Sequence, residues 1–163
     1  MRYLFATGGT AGHINPALAV ASYIRDTYPD SKILFVGTAD HMESRLVPNA
    51  GFDFKTIEIN GFKRSFSPKA VAANVKTVFK LLKSEQASKN IIKEFNPDVV
   101  IGFGGYVSGP VLEEAAKMHI PCCIHEQNAF PGITNKQLAK KVDKVMLTVE
   151  DAAKHLQPKN GVE

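Results

Sequence analysis

The sequence predicts an α/β domain, a parallel β-sheet with helices on both faces. Three observations carry that reading. Short apolar runs alternate with longer stretches of helical character, as in strands buried on both faces and joined by crossover helices. Two of these runs end in glycine-rich turns, Thr7-Gly8-Gly9-Thr10-Ala11-Gly12-His13 and Gly102-Phe103-Gly104-Gly105-Tyr106-Val107-Ser108-Gly109-Pro110. A third run ends in the polar cluster His125-Glu126-Gln127-Asn128. Ligands of such sheets bind beyond the carboxyl ends of the strands, where the strand order reverses. The three segments are therefore expected to meet in one cleft.

Residues 3–6 form the first predicted strand. Asn15 reads as an N-cap with Pro16 at the first helical position, and that helix runs to about residue 28. Residues 33–36 make the second strand, ended by Gly37. A helix over 42–49 follows and Gly51 stops it. The third strand is expected over 54–59. Ser67-Pro68 then opens a helix, with Val71, Val75, Val78, Phe79 and Leu82 at helical spacing. Residues 99–101 form the fourth strand and 110–118 a helix. Residues 122–124, 134–140 and 145–147 read as strand, short helix and sixth strand.

At 163 residues the chain suits one domain. We expect that domain over 1–156, with 157–163 starting a linker in the first half of a longer protein. The N-terminus runs straight into the first glycine turn, without the apolar core of a secretion signal. No apolar run reaches the ~20 residues of a membrane-spanning helix. Cys122 and Cys123 are adjacent in a predicted buried strand and read as core residues of a cytosolic protein. The net charge is +4, and its excess lies in one place: residues 61–96 hold eight Lys/Arg against two Asp/Glu. Such a patch points to an anionic surface or ligand.

A strand that ends in glycines and opens a helix presents free N–H groups at the positive end of the helix dipole, a site for phosphate. Two such turns suit a ligand with more than one phosphate, or two ligands that meet. The first turn lacks the Gly-Lys-Ser/Thr ending of a Walker loop. It also lacks an acidic residue after the second strand, which disfavours a nicotinamide-dependent dehydrogenase. His13, at the mouth of this turn, is either a helix-start residue or a general base that takes a proton from an attacking hydroxyl. Gly104 and Gly105 allow close backbone approach. Tyr106 is expected to be exposed, and Ser108 reads as a ligand contact or a helix cap. His125 and Glu126 lack a third metal ligand, so sugar or phosphate contacts are the better reading. Lys69, Lys76, Lys80 and Lys83 surround the apolar stripe of the basic helix. That stripe faces either the core or an anionic membrane surface. Nucleic acid is disfavoured, because stacking aromatics and a recognition motif are missing.

Three motifs together resemble the MurG family: Gly8 to Ala19 (GGTAGHINPALA), Gly102 to Pro110 (GFGGYVSGP), and His125 to Lys136 (HEQNAFPGITNK). Its members transfer N-acetylglucosamine from UDP-N-acetylglucosamine (UDP-GlcNAc) to undecaprenyl-pyrophosphoryl-N-acetylmuramyl-pentapeptide, making lipid II from lipid I in peptidoglycan synthesis. The resemblance implies the N-terminal Rossmann-like half of a GT-B glycosyltransferase, with the C-terminal donor domain absent from this chain. It implies an inverting transfer with His13 as base, and no cofactor beyond the donor UDP-GlcNAc. Donor contacts map onto Thr10, Ala11, Gly12 and Asn128. Acceptor pyrophosphate contacts map onto Gly9, Gly104, Gly105, Tyr106, Ser108, His125 and Glu126. Membrane contacts map onto Lys69, Val75, Lys76, Val78, Phe79, Lys80, Leu82 and Lys83, on the inner face of a bacterial plasma membrane. Ala11 departs from the usual family glycine, and its methyl is expected to restrict positive φ and close approach there. The alternative is a non-catalytic module that binds anionic lipid or a partner.

Overall fold

Six parallel strands form one sheet in the order β3-β2-β1-β4-β5-β6. In chain order the elements are β1 (Arg2–Ala6), α1 (Ala11–Thr27), β2 (Lys32–Gly37), α2 (Glu43–Asn49), β3 (Asp53–Thr56), α3 (Pro68–Phe95), β4 (Val99–Gly102), α4 (Ser108–Lys117), β5 (Cys122–Glu126), α5 (Ile133–Leu138) and β6 (Lys144–Leu147). A 3-10 turn over Glu150–His155 follows. This computed structural model describes residues 1–59 and 68–162, and for 68–79 the backbone alone. The expectations placed on Ser67, and on the side chains of Lys69, Val71, Val75, Lys76, Val78 and Phe79, lie outside the described residues.

Alternation along the strands builds two cores. Leu4, Ala6, Leu34, Val36, Val100 and Ile124 face α3, α4 and α5, where they meet Ile92, Leu112 and Leu138. Phe5, Phe35 and Ile101 face α1 and α2, where they meet Ala17, Ala21, Ile24 and Val47. On this second face the Phe5 ring stacks on Phe35 at 4.9 Å and on Phe103 at 5.8 Å, centroid to centroid. The expected two-faced α/β sheet is what the chain forms.

The strand order reverses between β1 and β4, which pair directly through Tyr3–Val99 to Ala6–Gly102. Both glycine turns leave these two strands, so they emerge side by side at the switch point.

Of the element boundaries that differ from expectation, three bear on the argument. Helix α1 starts at Ala11, not after Asn15. Thr10 is extended (φ −129°, ψ 154°) and its carbonyl accepts from the N–H groups of His13 and Ile14. Pro16 falls inside the helix, where it forgoes one bond to the preceding turn. Strand β3 ends at Thr56; Ile57 still donates its N–H to the Gly37 carbonyl at 2.9 Å but runs on into the core. Helix α4 starts at Ser108, not at Pro110. Its hydroxyl caps nothing in its own helix and turns back to two carbonyls, Ala6 at 3.0 Å and Gly104 at 2.8 Å.

The two turns touch through glycine. Gly104 (φ +91°) and Gly105 (φ +79°) sit in left-handed backbone. A β-carbon on Gly105 would fall on the carbonyl oxygen of Gly8, and one on Gly104 would stand 2.8 Å from the His13 ring. Gly105→Ala is therefore expected to destabilise the domain by about 2–3 kcal/mol. Gly132→Ala, at open backbone with φ −65°, is the control and should be near neutral. Equal denaturant midpoints for the two variants would refute the packed-turn account.

Candidate functional site

The site lies at the carboxyl edge of β1, β4 and β5. The first turn delivers Thr10, Ala11, Gly12 and His13, the second delivers Gly104 to Ser108, and the segment after β5 delivers His125 to Asn128. Ala11 and Gly12 are the first residues of α1, so no earlier helical carbonyl is available to their N–H groups. Ala11 is not among the residues with positive φ, so its methyl meets no backbone strain there. Thr10 is exposed and its hydroxyl makes no cap bond. Tyr106 is 61% exposed, as its glycine-rich surroundings predict.

His13 is held from the far side of the site. Its Nδ1 lies 3.0 Å from Gln127 Oε1, while Gln127 Nε2 donates to the Phe103 carbonyl at 3.0 Å and lies 3.0 Å from His125 Nδ1. A carbonyl only accepts, so Phe103 fixes which end of the Gln127 amide carries hydrogens. The Gln127 oxygen then faces His13, which must donate from Nδ1. In the neutral ring Nε2 of His13 then carries the lone pair, the arrangement a general base needs. The same logic makes His125 accept at Nδ1 and donate from Nε2 to Thr148 Oγ1, at 3.0 Å.

Glu126 is 2% exposed and faces inward. Its Oε1 accepts from the backbone N–H and side-chain amide of Asn128 at 3.0 and 3.1 Å, and its Oε2 accepts from Asn135 Nδ2 at 2.9 Å. Three donors satisfy the buried carboxylate. Glu126 thus orients Asn128, whose own position is exposed. Ser108, wholly buried, ties the second turn to β1.

Sequence reasoning missed three residues here. Gln127 and Asn135 stood inside a quoted motif without a role. Glu43 was read only as part of a short helix. It is wholly buried, and its carboxylate accepts from Gly9 N–H at 3.0 Å, from Thr38 N–H at 3.0 Å and from the Thr38 hydroxyl at 2.8 Å. Gly9 therefore brings close approach to the site, while its N–H is engaged inside the protein. Beside Gly9, toward β2, lies an open cavity of about 380 Å³ lined by Ala39, Asp40, His41, Met42, Ser44 and Arg45. No residue of the second turn lines it, so it is distinct from the junction of the turns.

Away from this edge, burial pushes the Cys122 and Cys123 thiols up to about 11 and about 12, which makes them inert core residues. Lys83 and Leu82 on α3 are exposed, Leu82 by 56%, and Lys80 is half-buried. Among the described residues no helix is long and apolar enough to cross a membrane.

Two measurements follow from this geometry. In ¹⁵N-histidine spectra the neutral ring of His13 should carry its proton on Nδ1, and Gln127→Ala should mix the two tautomers; a dominant Nε2–H form in the parent chain would contradict the network. Burial also holds the His125 imidazole below its ordinary value, against the opposing pull of Glu126. From about pH 6.5 downward the unfolded chain then binds a proton that the native chain does not, so stability falls as the pH is lowered through that window. The denaturant midpoint should drop between about pH 7.5 and 5.5, and His125→Asn should flatten that slope. An unaltered slope in the variant would show that His125 is not its source.

Comparison with known proteins adds the following. The family model described as glycosyltransferase family 28 N-terminal domain matches residues 3–147. The UDP-N-acetylglucosamine--N-acetylmuramyl-(pentapeptide) pyrophosphoryl-undecaprenol N-acetylglucosamine transferase of Clostridioides difficile is 53% identical over 154 residues, 94% of this chain and 37% of that protein. Its namesake in Acetivibrio thermocellus is 49% identical over 162 residues, 99% of this chain and 43% of that protein. The crystal structure of Acinetobacter baumannii MurG superposes with a TM-score of 0.80 at 31% identity, over 99% of this chain and 44% of that one. A UDP-GlcNAc 2-epimerase from Neisseria meningitidis, bound to UDP-GlcNAc, shares the fold at a TM-score of 0.69 and 16% identity. The chain thus spans roughly two fifths of the length of these curated relatives.

Proposed function

This chain belongs to glycosyltransferase family 28 through its N-terminal domain, and from that premise we propose that it is the acceptor half of an inverting N-acetylglucosaminyltransferase. The acceptor is a lipid-linked N-acetylmuramyl-pentapeptide pyrophosphate, lipid I, and the donor is UDP-GlcNAc, which enters as substrate. The observation that carries the reading is the free Nε2 of His13, held by Gln127 at the point where both glycine turns meet.

The chemistry follows from that placement. The 4-hydroxyl of the acceptor sugar attacks the anomeric carbon of the donor. The new bond from oxygen to carbon forms as the bond to the UDP oxygen breaks, and UDP leaves with the electron pair. His13 Nε2 takes the hydroxyl proton. The N–H groups at the start of α1, with the glycine backbone at Gly104 and Gly105, hold phosphate charge near Tyr106 and His125. Ala11 and Gly12, the hydroxyl of Thr10 and the amide of Asn128 are assigned to the donor. Ser108 and Glu126 support the site from within rather than touch the ligand.

Residues 1–156 form this acceptor domain, and 157–163 start the linker to a donor-binding C-terminal domain. The relatives, more than twice as long as this chain, have room for such a domain. The enzyme works as a peripheral protein on the cytoplasmic face of the bacterial plasma membrane. The basic segment supports that placement: β3 and its neighbours are parallel, so α3 begins at the same carboxyl edge as the site. Further along that helix Lys83 and Leu82 are exposed, side chains of the kind that meet an anionic lipid surface.

The test is transfer from UDP-GlcNAc to a lipid I analogue. The 163-residue chain alone should give no product, and the full-length protein containing it should turn over. In that protein His13→Ala should lower kcat by about 10²-fold or more with little change in KM. Unchanged kcat would remove His13 from the mechanism, and product from the chain alone would refute the half-site reading.

A further inference from the structure

We propose that the cavity beside Gly9 receives the carboxyl end of the acceptor's peptide, with Arg45 as the group that binds its carboxylate. The proposal rests on the acceptor-half reading and adds to it the place of the peptide.

The cavity stands at the same edge of the sheet as the turn junction. Strands β1 and β2 pair directly and in parallel, so the segment that leaves β2 emerges beside the first glycine turn. That segment and the start of α2 form the walls, and Gly9 closes the side toward the turns. The volume of about 380 Å³ lies within the range of about 300–1,000 Å³ usual for small-ligand sites. His13 and Gly9 are four residues apart, a span of at most about 14 Å at full extension. A pentapeptide carried by the acceptor sugar extends to about 17 Å. Its far end therefore reaches the cavity while the sugar stands at His13.

Arg45 marks the cavity for an anion. Of the other described arginines, Arg2 donates to the Phe95 carbonyl and lies over the Phe95 ring, and Arg25 donates to the Ala50 carbonyl and lies over Phe52. Arg45, exposed on the cavity wall, has no hydrogen-bond or ion-pair partner among the described residues. A guanidinium offers its N–H donors in a planar fork, the shape that takes a carboxylate through two bonds.

The remaining polar groups select a peptide over a phosphate. Ser44 donates its hydroxyl hydrogen to the His41 carbonyl at 2.7 Å, so its oxygen is left as an acceptor. Nδ1 of His41 lies 3.1 Å from Asp40 Oδ1 and 2.7 Å from the Thr38 hydroxyl. A carboxylate oxygen only accepts, so His41 donates there. The Asp40 side chain is 82% exposed, where solvent and salt screen its repulsion of a second carboxylate. Glu43 is wholly buried and does not line the cavity. A phosphate brings no hydrogen to such acceptors. The end of a peptide brings both kinds of group: a carboxylate for Arg45, and backbone N–H groups for Ser44 and Asp40. Met42, 41% exposed, and Ala39 give its side chains an apolar wall.

The experiment is transfer by the full-length protein that contains this chain, with two lipid I analogues: one ends in a free peptide carboxylate, the other in a carboxamide. The carboxamide should raise the acceptor KM about tenfold and leave kcat unchanged. Arg45→Gln should raise the KM for the free carboxylate by a similar factor. In that variant the carboxamide should make no further difference, because both changes remove one interaction. The KM for UDP-GlcNAc should not move. Equal acceptor KM for the two analogues in the parent protein would overturn the proposal, without any variant. So would an Arg45→Gln effect of the same size on both analogues. A rise in the UDP-GlcNAc KM alone would also overturn it, by giving Arg45 to a donor phosphate. In each of these cases transfer persists and the acceptor-half reading stands. Absence of transfer to either analogue by the parent protein would overturn both.

Discussion

One peptide plane, between Gly8 and Gly9, organises the functional end of this domain. Its N–H is held by Glu43 at 3.0 Å, and its carbonyl lies against Gly105 of the second turn. No side chain could occupy that contact on either strand's exit. Because β1 and β4 pair directly, their turns must share one small volume, and only bare backbone fits there. The glycines are therefore a packing requirement before they are a ligand requirement. Close packing then places His13 over Gly104, which is how a residue of the first turn comes to stand above the second.

Around this plane the domain uses buried carboxylates in place of buried backbone pairing. Glu43 and Glu126 are each all but inaccessible, and each accepts three hydrogen bonds, all from loop donors except the Asn135 amide of α5. A buried carboxylate without partners would be strongly destabilising. Given three donors, it becomes a rigid node that fixes several loop atoms at once. Loops at a sheet edge have few regular partners of their own. Two acidic nodes, one behind each side of the site, supply that rigidity without closing the surface the ligand must reach.

The sheet was largely legible. Strand positions follow from apolar runs whose burial depends on local composition, and they agree with the structure to within a residue or two, except at the end of β3. The errors arise where a local signal met a distant partner. Asn15-Pro16 carries a strong cap signature, but the helix had already begun at Ala11, because the glycine turn frees the Thr10 carbonyl to accept from His13 and Ile14. Ser108 looks like a cap because serine at a helix start usually is one; its partner, the Ala6 carbonyl, lies 102 residues away in the chain. Glu43 looks like an ordinary acid in a first helical turn, favoured there by the helix dipole. Nothing local separates that role from a buried one whose partner, Gly9, is 34 residues upstream.

The same distinction explains why the candidate base could be named from sequence while its protonation could not. A histidine at the mouth of a glycine turn is visible in one dimension. Its tautomer depends on Gln127, 114 residues away, and through it on a backbone carbonyl of the second turn. That carbonyl is an unusually good reference, because it cannot change its donor or acceptor character. The chain of constraint thus runs from backbone to amide to imidazole. Each step narrows the next, and His125, drawn into the same amide, is fixed in the opposite sense, donating from Nε2 to Thr148. Two histidines set in complementary tautomers by one glutamine give the site one basic nitrogen at the turn junction rather than two competing ones. For the base proposed above, that leaves little reorganisation when a hydroxyl arrives, which is the condition under which proton transfer contributes most to rate.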